Sequence, residues 1–283
     1  MTIKVDPQGM GLDPKQSRFL VLGATGLLGR NLVRELAGRG WPTRALRRWN
    51  ASAEGLDFPG VEVVVGDLFE PASLTEAVAG VNGVFYCVAP APERTPREIL
   101  RNTVEGLRRT IAACREQDVD RLVLTSSAST IARGAPGVRA TEAAVYLPGT
   151  SEDPFAEAKY AAEQEAYRAI ADGFDVVILN PTLMVGPGVD LTPYARLGVR
   201  GSEPLNVVDV REVARVHAEA FLRGRSGARY LIGGENTTAG HVFEGWSSRG
   251  RNPVTPREAY LVERGQWYDL SKARDELGLQ VTR

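Results

Sequence analysis

One junction governs how this chain can fold. The apolar run Phe19-Leu20-Val21-Leu22 ends directly on Gly23-Ala24-Thr25-Gly26-Leu27-Leu28-Gly29. A short, unbroken apolar stretch is what a parallel strand buried on both faces requires. Glycines at three-residue spacing then permit a tight turn, and Leu32, Val33 and Leu36 place one apolar face on the helix that follows. A strand, a glycine-rich turn and a helix N-terminus together present main-chain amides and a positive dipole end, a setting suited to a pyrophosphate. Gly23, Thr25, Gly26, Leu27, Leu28 and Gly29 are therefore candidate dinucleotide contacts.

Downstream, the pattern predicts strands at 42–47, 61–65, 84–88, 121–125 and 176–179, alternating with helices at 73–79, 98–114 and 154–170. Such alternation implies an α/β fold with a doubly wound parallel sheet, right-handed crossovers and helices on both faces. After Asn180 the alternation breaks down, leaving short strands at 207–210 and 230–232 around a helix at 213–221. The expected organisation is a flexible tail at 1–17, a dinucleotide-binding core at 18–180, and a mixed region at 181–283. That last region combines a small C-terminal substrate lobe with remaining core elements.

Composition narrows the function classes. The 283 residues carry 34 basic and 35 acidic side chains, a formal net charge of −1. That balance offers no electrostatic footprint for nucleic acid or an anionic membrane. No apolar run approaches the ~18 residues of a membrane span. Cys87 and Cys114, and His217 and His241, lie too far apart for a disulfide framework or a metal cluster, and a reducing cytoplasm is the expected setting.

The glycine spacing, taken with four later segments, resembles the short-chain dehydrogenase/reductase superfamily in its extended or atypical branch, near dihydroflavonol-reductase-like and sugar-epimerase-like sequences. The segments are Gly66-Asp67-Leu68, Thr125-Ser126-Ser127-Ala128, the run from Asn180 to Pro187, and Asn206-Val207-Val208-Asp209-Val210. Tyr268-Asp269-Leu270-Ser271-Lys272-Ala273 looks like the family's closing helix. The resemblance implies a Rossmann-type core that binds a nicotinamide dinucleotide. It also implies that Asp67 bonds the adenine amine with Leu68 on its face, that Val88, Ala89 and Pro90 lie against a ribose, and that Thr125, Pro181, Thr182 and Leu183 line the cofactor.

In an NAD-binding crossover an acidic residue at the end of the second strand accepts the ribose hydroxyls. Here that position holds Arg47, followed by Arg48, with Arg30 just past the third glycine. Guanidiniums grip a dianionic phosphate through charge-assisted forks, so the expected cofactor is NADPH/NADP.

Reductases of the superfamily use Ser, Tyr and Lys, the last two spaced Tyr-x-x-x-Lys on one helix face. The matching segment here is Phe155-Ala156-Glu157-Ala158-Lys159. Lys159 and the serine, Ser127, are present; the acid is absent. Thr103 stands where relatives carry a helical asparagine. Ser151, Tyr146 and Tyr194 are substitute donors to weigh, and Tyr160 points ~100° away from the lysine face. Lacking the tyrosine, the chain resembles the ketoreductases that tailor angucyclinone antibiotics of the simocyclinone type.

The leading expectation is a reductase of a hydroxylated aromatic ketone whose own neighbouring phenol polarises the carbonyl. Met184, Leu183, Tyr194, Phe243 and Trp246 are candidate wall residues, and a monomer or homodimer is expected. The alternatives are a catalytically silent NADP sensor and a non-redox cyclase or isomerase.

Overall fold

The computed structural model describes residues 13–89, 95–132, 134, 137–144, 146–149, 153–187, 202–242 and 266–281. Strand β1 (Phe19–Leu22) is buried along its whole length, and the glycine turn leads into α1 (Leu27–Gly38). Strands β2 (Thr43–Arg47) and β3 (Val61–Val65), helix α2 (Pro71–Val78) and strand β4 (Gly83–Tyr86) follow. Helix α3 (Pro96–Glu116), strand β5 (Arg121–Thr125), helix α4 (Pro154–Ala171) and strand β6 (Val176–Pro181) complete the first half. Helix α3 begins two residues earlier than the periodicity predicts, because Thr95 and Glu98 form a capping box and Pro96 fits the first turn.

Seven parallel strands lie in the order β3-β2-β1-β4-β5-β6-β9, with β9 at Arg229–Ile232. The sequence reverses direction between β1 and β4, and the carboxyl ends of these two strands form the crevice where open α/β sheets bind ligands. One apolar core under α1 and helix α5 (Val210–Arg223) gathers Phe19, Val21, Phe85, Val123 and Val177; the opposite core under α3 and α4 gathers Leu20, Leu22, Val84, Leu122 and Ile178. Phe221 packs edge-on against Phe19 with centroids 4.9 Å apart. It leaves so little room that a Cβ on Gly83 would stand 2.3 Å from its ring. The edge strand β3 differs: its Val63 and Val65 are exposed, so β-branched content marks the strand without marking burial.

Two strands escape the sequence pattern, β7 (Leu183–Val185) and β10 (Asn236–Thr238), each three residues long. They flank β8 (Pro204–Asp209) in a small separate sheet, β7 parallel and β10 antiparallel to it. Val210, expected to end a strand, instead opens α5, because the Asp209 carboxylate accepts from the Arg211 N–H and caps the helix. A last helix, α6 (Ser271–Leu277), packs against α5 and β9. The residues beyond Asn180 thus contribute α5 and β9 to the main body as well as a lobe. No helix among the described residues is long and apolar enough to cross a membrane.

Candidate active site

The phosphate turn is fixed by close packing. Gly23 has φ +78°, and a Cβ there would stand 2.7 Å from the Cys87 carbonyl oxygen at the end of β4. A Cβ on Gly29 would meet the Gly23 carbonyl at 2.1 Å, so the helix can sit on the turn only with glycine at that position. Gly26 is the N-cap of α1, contributes no side-chain cap and is exposed, while the first turn carries no acidic residue. The leading amides of α1, flanking Leu27 and Leu28, therefore face the crevice ready for an anion.

The arginines divide their labour. Arg47 spends Nη1 on the carbonyls of Arg48, Trp49 and Ala51 at 3.3, 3.3 and 3.0 Å, shaping the loop after β2. Its Nε is buried without a partner, and so is the Nε of Arg30. A guanidinium pinned by one nitrogen, with its buried Nε left unpaired, has hydrogen-bonding capacity that an anion reaching that edge could satisfy. Arg48 is exposed. Asp67 Oδ1 accepts from the Phe69 N–H at 2.9 Å while its main chain is tied to Ser73, and Leu68 packs on the core beside α3. Val88 and Ala89 follow β4 on the crevice side; Pro90 lies outside the described residues.

At the reaction end, Lys159 is 4% exposed and its ammonium donates to the Val88 carbonyl at 3.2 Å and the Thr125 carbonyl at 2.9 Å. Burial pulls its pKa down to about 8. The Phe155 ring lies 5.7 Å from the ammonium, so the i, i+4 pair shares one face as expected, with a ring and no hydroxyl. The Thr125 hydroxyl meets His217 Nε2 at 2.8 Å. His217 Nδ1 lies 2.7 Å from the Val213 carbonyl, which can only accept, so Nδ1 carries the proton and Nε2 receives the Thr125 hydroxyl. Desolvation lowers the His217 pKa to about 4, which keeps the ring neutral. His217 thus packs, as expected of a lone histidine.

Ser127 caps a short turn at Ala128–Thr130. Its Oγ accepts the Ser129 N–H at 3.1 Å and lies 2.9 Å from the Ser129 hydroxyl. Beneath it sits a buried carboxylate that the sequence reading missed. Glu163 Oε1 accepts from the Ser126 hydroxyl, from Thr130 at 2.7 Å and from Asn180 at 2.7 Å, while Oε2 faces Arg229 at 3.3 Å. Glu163 lies four residues after Lys159 on the same helix, a spacing that puts it on the lysine face but says nothing of its distant partners.

The other donors considered are disposed differently. Tyr146, weighed as a substitute donor on a loop that could face the cleft, is buried; its hydroxyl donates to Glu157 at 2.8 Å and its ring is tilted against Tyr160 with centroids 5.0 Å apart. A loop position did not make it accessible, because α4 covers it. Ser151, Tyr194, Phe243 and Trp246 lie outside the described residues. Tyr268, not anticipated as a donor, brings its hydroxyl to 3.5 Å from the Ala128 carbonyl. Thr103 is buried with its hydroxyl unpaired, and Thr182 donates to Asn206 Oδ1 at 2.8 Å at the join between core and lobe, with Pro181 buried and Leu183 and Met184 half-buried beside it.

Residues 19–199 match the NAD dependent epimerase/dehydratase family. The chain belongs to that family. Among its relatives, a Synechocystis sp. protein provisionally named dihydroflavonol 4-reductase is 30% identical over 92% of this chain and 89% of its own. Sterol demethylase protein B of Methylococcus capsulatus is 32% identical over 93% of each. A Stigmatella aurantiaca ketoreductase of 4-hydroxy-2-methyl-3-oxo-4-farnesyl-3,4-dihydroquinoline-1-oxide is 32% identical over 60% of this chain and 51% of its own. The solved structure of MoeE5 in complex with UDP-glucose and NAD superposes with a TM-score of 0.78 at 26% identity, covering 94% of each chain. With reductases among its relatives, this family member is an oxidoreductase of the NAD(P)-dependent kind on an extended short-chain dehydrogenase/reductase fold.

Proposed function

We propose that the protein is an NADPH-dependent ketoreductase of a specialised metabolite, with a hydroxylated aromatic polyketide ketone as the substrate class. The single observation that carries the mechanism is Phe155 over the Lys159 ammonium, which preserves the active-site frame while removing its acid. The turn at 23–29, with Asp67, Leu68, Val88 and Ala89, would hold the dinucleotide. The buried, unpartnered Nε atoms of Arg30 and Arg47, with Arg48 nearby in sequence, support a 2′-phosphate. Bound NADPH supplies the hydride.

Lys159 keeps one N–H beyond the two committed to Val88 and Thr125, and this is the donor available to a ribose hydroxyl. Ser127 offers a hydroxyl to the ketone oxygen as an electrostatic stabiliser. A phenol beside the ketone would supply the polarisation that the lost tyrosine hydroxyl cannot. The protein would then act by fixing near-attack geometry, an effect that can supply ~7–11 kcal/mol of a barrier. The Stigmatella relative, named for reduction of a ketone on a fused bicyclic ring system, supports the substrate class.

The test compares 8-hydroxy-1-tetralone with its methyl ether at saturating NADPH. Methylation should lower kcat by about 100-fold or more, the scale of a lost transition-state donor. Equal rates would overturn the assisted mechanism. Tight NADPH binding with no turnover of any ketone would favour the silent sensor.

A further inference from the structure

The substrate phenol cannot assist every ketone, and the Tyr146 phenol is already committed: its hydroxyl donates to Glu157, with the Tyr160 ring tilted against its own. The turn after β5 carries a different device. Ser127 Oγ takes the Ser129 main-chain N–H at 3.1 Å and lies 2.9 Å from the Ser129 hydroxyl. The Ser127 carbonyl is held in turn by the Thr130 N–H at 3.1 Å and by Asn180 at 3.1 Å. The buried Glu163 carboxylate binds Ser126, Thr130 and Asn180 from below. Both serines are half-buried, so one side of the pair reaches solvent.

We propose that Ser129 and Ser127 form a two-hydroxyl proton relay for ketone reduction, with Ser129 acting through Ser127 as a positioning residue. The proposal rests on the reductase reading above. Because the Ser129 N–H must donate, Ser127 Oγ is already an acceptor; a hydrogen bond from the Ser129 hydroxyl then leaves the Ser127 proton free for the ketone oxygen. As the carbonyl carbon receives hydride, its oxygen becomes an alkoxide. The Ser127 O–H bond breaks toward that alkoxide, the Ser129 O–H bond breaks toward Ser127, and a solvent water restores the Ser129 proton. One hydride and one solvent proton enter, and a secondary alcohol leaves. An alkoxide is at least as basic as the serine oxygen it draws on, so no acid of lowered pKa is needed.

The pair should matter most where the substrate has no phenol of its own. On 1-tetralone, Ser129→Ala should lower kcat about tenfold, the scale of one lost hydrogen bond in a poised site, and on 8-hydroxy-1-tetralone only about twofold. In mixed light and heavy water the wild-type rate on 1-tetralone should show a two-proton inventory that becomes a one-proton inventory in Ser129→Ala and is restored in Ser129→Thr. With oxidised cofactor, where no turnover occurs, the infrared carbonyl stretch of bound 1-tetralone should move up in Ser129→Ala at unchanged thermal midpoint. Equal losses on both ketones, an unaltered inventory, or an inventory that responds to Tyr268→Phe instead would overturn the relay. A wild-type protein that reduces neither ketone takes down the reductase reading itself, a result distinct from normal turnover that ignores Ser129.

Discussion

The two ends of the crevice have been built to different standards of completeness. At the proposed nucleotide end, the glycine turn is sterically enforced: Gly29 sits where a Cβ would stand 2.1 Å from the Gly23 carbonyl, and α1 begins with no side-chain cap. At the reaction end the frame is kept, with Lys159 locked on two carbonyls and Ser127 seated above Glu163, but Phe155 has no proton to give. The contrast teaches that binding geometry and proton supply are separable properties of one crevice.

The nucleotide end should tolerate least. Gly29→Ala should cost about 100-fold in dinucleotide affinity, about 2.7 kcal/mol, because the added carbon must push the turn off the helix. Titration of NADPH fluorescence measures it, and a wild-type affinity would break the claim of steric enforcement.

Lys159 joins the two ends, so its charge should be felt at both. The buried ammonium has a pKa of about 8, below its ordinary value. Reduction should therefore fall as pH rises through about 8 and the cation is lost, and kcat/KM against pH reads that limb. The same depression means that the folded state binds fewer protons than the unfolded one between about 8 and the ordinary lysine range, so this group's contribution to stability rises with pH across that window. A flat activity profile would separate the lysine from the chemistry.

A smaller effect is expected from Arg30→Ala combined with Arg47→Ala. On the proposed NADPH reading, preference for NADPH over NADH should drop about tenfold as charge-assisted forks are lost. Part of that effect comes from the loop at 48–51, which Arg47 holds by three carbonyls. Measuring KM for both cofactors would expose an unchanged ratio.

The smallest effect should be Phe155→Tyr. With 8-hydroxy-1-tetralone it should gain less than about threefold, since the phenol already performs the polarising role. A gain of two orders of magnitude would show that the reaction end is merely impaired.

The sequence disclosed the nucleotide end far better than the reaction end. Strand, turn and helix are contiguous at Phe19–Gly38, so local pattern alone marks the candidate phosphate turn, and the family resemblance, laid on the i, i+4 spacing of Phe155 and Lys159, marks a phenylalanine at the tyrosine position. Features that depend on distant partners were hidden. The Glu163 network joins the turn after β5, α4, β6 and β9, and nothing local to Glu163 announces Asn180 or Arg229. Tyr146 lay on a loop that pattern makes surface, yet Glu157 and Tyr160 enclose it. β7 and β10, at three residues, are too short for alternation to register and exist by pairing with β8. Arg47 reads as a cation in any sequence, and only the folded loop shows that one of its nitrogens is already spent.

The join between the main sheet and the small one has its own consequence. Thr182 alone separates β6 from β7, Asp209 passes straight into Val210, and Gly233-Gly234-Glu235 spans β9 to β10. Both glycines are dovetailed against β8, where a Cβ would stand 2.4 Å from Asn206 Oδ1 and 2.1 Å from the Val207 oxygen. Two of these links run from sheet to sheet and the third from β8 into α5, so the small sheet is tied to the main body by short, closely packed connections. A guest lying against this join would meet strands fixed by short connections, and a change of guest along β7 and β8 would then come by side-chain replacement.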